Sequence, residues 1–170
     1  MQRPPALLIC VLGAIAMTSA AAEWQPADSP LMTRWAADVA PDNVLPEYPR
    51  PQLQRAQWLN LNGLWDYAIT DPRDTPPEQW DGQILVPFAV ESALSGVKRP
   101  LEPTQELWYR RTFDVPGDWD EDHRLRLNFG AVDWHARVWV NDTLVGSHRG
   151  GYDPFSFDIT DAVDRDNANT

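Results

Sequence analysis

The stretch RLRLNFGAVDWHARVWVNDTLVGSH, Arg124 to His148, decides the fold. Leu125, Leu127 and Phe129 alternate with Arg124, Arg126 and Asn128, the period of a half-buried strand. Ala136, Val138 and Val140 repeat the pattern and stop at Asn141-Asp142, two residues that tolerate positive φ and so favour a tight hairpin turn. Leu144 to Ser147 then returns as the second arm of that hairpin.

Working outward, the same signals recur. Leu64 to Thr70 follows Asn62-Gly63 and puts Trp65, Tyr67 and Ile69 on one face. Gln83 to Phe88 is a short strand near Pro87. Leu107 to Val115 alternates, with Tyr109, Arg111, Phe113 and Val115 sharing a face, and Pro116-Gly117-Asp118 ends it. Gly150-Gly151 breaks the chain before Phe155, Phe157 and Ile159 mark a last strand. Short strands at roughly ten-residue spacing, each with one apolar and one polar face, predict an all-β antiparallel sandwich in which each sheet has one wet side. Sixteen prolines argue against a helical protein.

The two ends read differently. Met1-Gln2-Arg3, the apolar run Ala6 to Ala16 and Ala20-Ala21-Ala22 outline a secretory signal peptide over residues 1–22, which places the mature protein in the periplasm or outside the cell. The single cysteine, Cys10, falls inside that run, so the mature chain has neither a disulfide nor a thiolate nucleophile. Residues 23–57 are proline-punctuated and predict an extended arm, with Trp24, Trp35 and Tyr48 as its anchors. The sandwich domain then occupies 58–170.

The formal charge of −11, or −12 once Arg3 is removed, disfavours nucleic acid and anionic membrane surfaces as partners. No cofactor or metal is expected. His123, His135 and His148 are scattered without ligand spacing, and Asp118 to Asp122 lacks the glycine and oxygen spacing of a calcium loop. There is no G-x-S-x-G, and Arg110-Arg111 point to opposite faces and make no basic patch. Asn141-Asp142-Thr143 is formally a glycosylation sequon, although the turn already accounts for Asn141.

Six elements in order carry a resemblance: Trp58 to Trp65, Val86-Pro87-Phe88, Leu107 to Phe113, Phe129 to Trp134, Val138 to Asp142, and Gly150 to Phe155. Together they resemble the N-terminal sugar-binding domain of glycoside hydrolase family 2, over about residues 31–163. Asp142 departs from the glycine usual in that family's turn. The resemblance implies a jelly-roll sandwich similar to galactose-binding modules. It also implies a parent enzyme that continues through an immunoglobulin-like sandwich into a catalytic (β/α)8 barrel bearing both glutamates of a retaining glycosidase. A barrel alone takes about 250 residues, and retaining hydrolysis needs two carboxyl groups about 5 Å apart. No residue of this chain is therefore expected to be catalytic. The family would place a further strand after Thr170, so the sequence reads as an N-terminal fragment, with an unpaired edge that would make it poorly soluble alone.

The expected function is that of a non-catalytic accessory domain of an exported family 2 glycosidase acting on β-galactoside-like substrates. Its partners would be a β-glycoside carbohydrate and the catalytic barrel. A free-standing carbohydrate-binding module and a purely structural brace remain the alternatives. The candidate contacts with sugar or barrel are Asp133, Trp134, Glu91 and Lys98. A ring such as Trp134 can cover the C–H face of a pyranose while Asp133 accepts from its hydroxyls. Packing against the arm or a neighbouring domain would use the same residues. Glu91 and Lys98 lie in the long loop Ala89 to Glu106, whose length is a mark of function or of simple exposure.

Overall fold

A computed structural model describes residues 23–170. The proposed signal peptide and Cys10 lie outside the described residues. Seven strands are present: β1 (Gly63–Thr70), β2 (Gly82–Val86), β3 (Glu106–Arg110), β4 (Arg126–Phe129), β5 (His135–Val140), β6 (Thr143–Arg149) and β7 (Phe155–Asp158). All pairing is antiparallel, in three sheets ordered β2-β1-β3, β4-β7 and β5-β6. The described residues contain no α-helix, only 3-10 turns at Arg34–Asp38, Pro51–Leu53 and Ala93–Ser95.

The hairpin β5-β6 forms as its sequence requires. Asn141 and Asp142 take φ of 47° and 64°, the left-handed pair of a two-residue turn. Aspartate fills the second position without a glycine. The register slips between Val138 and Trp139, a bulge that sets one extra residue, Val145, in β6. Behind the hairpin, Leu125, Val140 and Ile159 form a buried cluster, with Leu127, Val145 and Phe157 against it, so β4, β5, β6 and β7 close one core.

The first sheet meets that hairpin through Trp108 of β3, which stacks on Trp139 of β5 at 5.6 Å between ring centroids and 26° between planes. Arg137 of β5 reaches Glu106 of β3 at 3.2 Å and Asp74 at 2.9 Å across the same boundary. This corrects the reading of Leu107 to Val115. The buried ring is Trp108, while Tyr109 points to the opposite face beside Trp65 at 6.4 Å. The regular strand stops at Arg110, and Phe113 pairs only through an isolated bridge with Asn169.

The expectation of one wet face per sheet also fails, at β2. Ile84 and Leu85 are neighbours that must face opposite sides, and both are fully buried. Beyond its own sheet, β2 is covered by the 3-10 turn Ala93–Ser95 of the loop over residues 89–105. That loop is compact. The Ser95 hydroxyl, completely buried, donates to the Ser92 carbonyl at 2.8 Å and accepts from Val97 N–H at 3.0 Å. The arm lies over it: Trp24 Nε1 donates to the Ser95 carbonyl at 3.3 Å, and Ala27 N–H to the Ala93 carbonyl at 2.8 Å. Tyr48 tilts against Trp58 at 4.6 Å. Trp35 is no anchor: it is 61% exposed, with the Arg34 guanidinium over its ring.

The seam between β4 and β7 carries an acid-sensitive contact. Asp158 accepts from the Thr160 hydroxyl at 2.7 Å, Arg124 Nε at 2.5 Å and Thr160 N–H at 3.1 Å. These bonds, the Thr160 hydroxyl first, hold its carboxyl down at about 2. A carboxyl in the unfolded chain titrates near ~3.9, so the folded form binds this proton less readily. The resulting stabilisation is present above that value and is lost as pH falls through about 2. Asp158→Asn is expected to lower Tm at neutral pH, by a gap that closes on acidification through this window. A gap of constant size from neutral to acid would refute the assignment.

Candidate functional site

The polar and aromatic start of β5 is presented to solvent. Asp133, Trp134 and His135 are all exposed, with 61% of Trp134 accessible. Two backbone features hold them there. Gly150 N–H donates to the Trp134 carbonyl at 2.7 Å, closing the open end of the hairpin. Gly150 itself takes φ +131°, which side-chain-bearing residues rarely adopt. At Gly151 a Cβ would fall 2.6 Å from Asp133 Oδ1, so the carboxylate rests directly against the backbone of the β6–β7 connection. The double glycine thus leaves room for the Asp133 carboxylate beside Trp134.

Two more groups project here that the sequence reading did not single out. The Arg149 guanidinium carbon stands 5.7 Å from the Trp134 ring centroid. Tyr152, next to Gly151, is 96% exposed. The signal for Tyr152 was its place directly after a glycine pair that needs a special backbone. An exposed indole, an exposed phenol, a carboxylate and a guanidinium on neighbouring backbone form a surface that can stack on a sugar ring and hydrogen-bond its hydroxyls.

The loop candidates lie elsewhere. Glu91 acts on Tyr109, whose hydroxyl is pushed up to about 12, by burial first and by the Glu91 charge second. Tyr109 and Trp108 occupy opposite faces of β3, so Glu91 belongs to the face turned away from β5. Lys98 takes φ 52°, and its Nζ donates to the Asp28 carbonyl at 2.5 Å. It fastens the arm to the loop. The structure therefore keeps Asp133 with Trp134 and separates both from Glu91 and Lys98.

A second concave region lies under the arm. A cavity of about 270 Å³ is bounded by Asp42, Val44 and Pro46 on the arm side and by Asn60, Asn62 and Arg111 on the sheet side. Arg111 Nη1 donates to the Asn62 and Leu64 carbonyls, both at 3.2 Å. Burial lowers the pKa of its guanidinium.

Known proteins provide the remaining context. The family model described as "Glycosyl hydrolases family 2, sugar binding domain" matches residues 58–169. A β-glucuronidase of Paenibacillus borealis is 33% identical over 119 residues, which are 66% of this chain and 20% of that protein. A β-galactosidase of Thermoanaerobacter pseudethanolicus is 40% identical over 109 residues, 62% of this chain and 14% of that protein. Among solved structures, the β-glucuronidase of Faecalibacterium prausnitzii superposes with a TM-score of 0.54 at 25% identity, covering 72% of this chain and 21% of its own. The chain thus spans about a fifth or less of the length of these relatives. With its antiparallel strands and the match over residues 58–169, the chain belongs to glycosyl hydrolase family 2, as its sugar-binding domain.

Proposed function

We propose that this domain is the non-catalytic, sugar-contacting part of an exported retaining β-glycosidase. Its parent enzyme would act on β-glucuronides or β-galactosides through glutamates of a barrel lying outside residues 23–170. The names of the relatives support both substrate classes. Contact with sugar is assigned to the start of β5. The observation that carries this reading is the Trp134 ring, 61% exposed, beside an Asp133 carboxylate that lies against Gly151. A large ring left open next to a carboxylate acceptor suits a pyranose better than it suits the core.

The near-complete exposure of Tyr152 supports a second reading, in which the same surface seats against a catalytic barrel and touches no sugar. Titrating the chain with methyl β-glucuronide and methyl β-galactoside, followed by tryptophan fluorescence and calorimetry, separates the two. Saturation at millimolar concentration is expected, with Trp134→Ala weakening binding about tenfold, the scale of one lost aromatic contact. Absence of saturation by either glycoside, or unchanged affinity in Trp134→Ala, would favour the bracing role.

A further inference from the structure

We propose that the cavity between the arm and the β1 end of the first sheet is a second, separate site, which takes a carboxylate-bearing pyranose, a uronate, on Arg111. Among the described residues, Arg110 pairs with Asp66, Arg124 with Asp158, and Arg137 with Asp74 and Glu106. Arg111 makes no ion pair there, although the chain has 25 acidic residues against 14 Lys and Arg. Its Nη1 is taken by two neutral backbone carbonyls, and Asp42, the carboxylate lining the same cavity, makes no ion pair with it. A partly buried guanidinium in this state favours an anionic ligand, and its planar donors suit a carboxylate.

The position is built rather than incidental. A Cβ on Gly63 would lie 2.9 Å from Arg111 Nη1 and 3.0 Å from the Pro41 carbonyl, so the guanidinium passes through a gap that a side chain there would close. Gly63 also takes φ +124°. Arg111 lines both the cavity under the arm and a neighbouring recess of about 320 Å³, which it shares with Gln83, Thr112 and the paired Asp66 and Arg110. The cavity itself, at about 270 Å³, falls just below the ~300 Å³ at which drug-sized pockets begin, the scale of one sugar ring.

The rest of the lining decides between a simple anion and a sugar acid. Asn60 and Asn62 are tied to the arm: Asn60 Nδ2 donates to the Leu45 carbonyl at 3.0 Å, and Asn62 Nδ2 to the Val44 carbonyl at 3.3 Å. That leaves the Asn62 carboxamide oxygen and the Asp42 carboxylate as acceptors, while Val44 and Pro46 supply an apolar wall. Acceptors for hydroxyls, one cation for a carboxylate and an apolar wall for a C–H face together describe a uronate. An inorganic anion would meet the same Asp42 charge and would gain nothing from the acceptors. This inference rests on the chain being a sugar-binding domain, but it uses none of the residues assigned at Trp134.

The test is an NMR titration of the whole chain with glucuronate, glucose and acetate, following the Gly63 amide, the Asn62 carboxamide and the Arg111 guanidinium. Glucuronate is expected to saturate these signals at least about tenfold more tightly than glucose or acetate, the scale of one charge-assisted contact. Arg111→Gln, with its fold checked by the dispersion of the amide spectrum, is expected to lose that preference. Should Arg111→Gln fail to fold, Asp42→Asn takes its place and is expected to tighten glucuronate binding by removing a like charge. Equal affinities for glucuronate and glucose overturn the proposal, as do equal affinities for glucuronate and acetate. Retained preference in folded Arg111→Gln, or no tightening in Asp42→Asn, does the same. If the glucuronate response is lost in Trp134→Ala and kept in Arg111→Gln, this cavity is refuted while the sugar-binding reading stands. If no sugar perturbs any residue, both fall.

Discussion

Replacing Asn169 with alanine is expected to cost about 3–5 kcal/mol in folding free energy, among the larger effects of a single substitution in a domain of this kind. Asn169 is fully buried, and its carboxamide meets four partners. Its Oδ1 accepts from Asn141 Nδ2 at 2.6 Å and from Asp164 N–H at 2.7 Å. Its Nδ2 donates to the Asp164 carbonyl at 2.7 Å and to the Asn167 carbonyl at 3.0 Å. The backbone adds two more bonds, to Phe113 N–H at 2.9 Å and from Asn169 N–H to the Phe113 carbonyl at 2.8 Å. Alanine keeps the backbone bonds and strands the side-chain partners, each with a desolvation penalty of about 1–3 kcal/mol if no water reaches it. Asn169→Leu restores volume without the bonds. Urea unfolding of both variants, with m-values checked for constancy, discriminates bonds from packing. Similar large losses in both are expected; recovery in Asn169→Leu, or a loss below about 1 kcal/mol in Asn169→Ala, would show that the hub contributes little.

The same hub settles the sequon. The nitrogen that a glycan would occupy on Asn141 is already the donor to the Ala162 carbonyl at 3.0 Å and to Asn169. Asn141 Oδ1 also accepts from Thr170 N–H at 2.9 Å. In the folded chain Asn141 is a joint between the hairpin turn and residues 162–170, and a glycan there is incompatible with those bonds.

Local pattern made the hairpin legible. Alternation through Ala136, Val138 and Val140 sets the pleat, and Asn141-Asp142 can be little other than a turn with positive φ. Local pattern does not say which of two adjacent aromatics is buried. Trp108 and Tyr109 both fit a half-buried strand, and the choice is made by Trp139, thirty-one residues from Trp108 in sequence and on another sheet. The loop Ala89 to Glu106 read as open because its organiser is a serine. Ser95 becomes a hub only once Val90, Ser92 and Val97 fold around it. Trp35 read as an anchor from its chemistry alone, yet the arm turns it outward and fixes itself through Trp24, Val44 and Lys98 instead. For the candidate site, the pairing of Asp133 with Trp134 was visible in the sequence. The reason they stay together, a carboxylate resting on Gly151, depends on a return of the chain eighteen residues later. The cavity at Arg111 was hidden for a similar reason, since half of its wall belongs to the arm.

Gly146→Ala is expected to destabilise the domain by about 2–3 kcal/mol, the upper range for overpacking a closed core. The sign runs against the backbone rule, by which alanine in a strand is favoured over glycine by roughly 0.5–1 kcal/mol. Gly146 does not take positive φ, so strain there is not the cause. The obstacle is Phe157 on β7. A Cβ at Gly146 would lie 2.3 Å from Phe157 Cε1, 2.5 Å from Cδ1 and 3.0 Å from Cζ. The ring has little room to retreat. It packs against the cluster of Leu125, Val140 and Ile159, and its neighbour Phe155, at 5.5 Å, is itself stacked between Phe129 at 4.8 Å and His148 at 4.2 Å. Where a new Cβ meets only the free end of a flexible side chain, as at Gly151 with Asp133, the chain can move aside at smaller cost. At Gly146 the neighbour is an aromatic ring packed on the buried cluster, so either β6 or β7 must shift. Combining Gly146→Ala with Phe157→Leu tests this directly: the smaller side chain vacates the space, and the double variant is expected to be more stable than the sum of the single losses by about 1 kcal/mol or more. Thermal and urea unfolding of the four proteins complete the cycle. Strict additivity, or a neutral Gly146→Ala, would mean that the ring does not press on β6 and that the two strands are held together by something else.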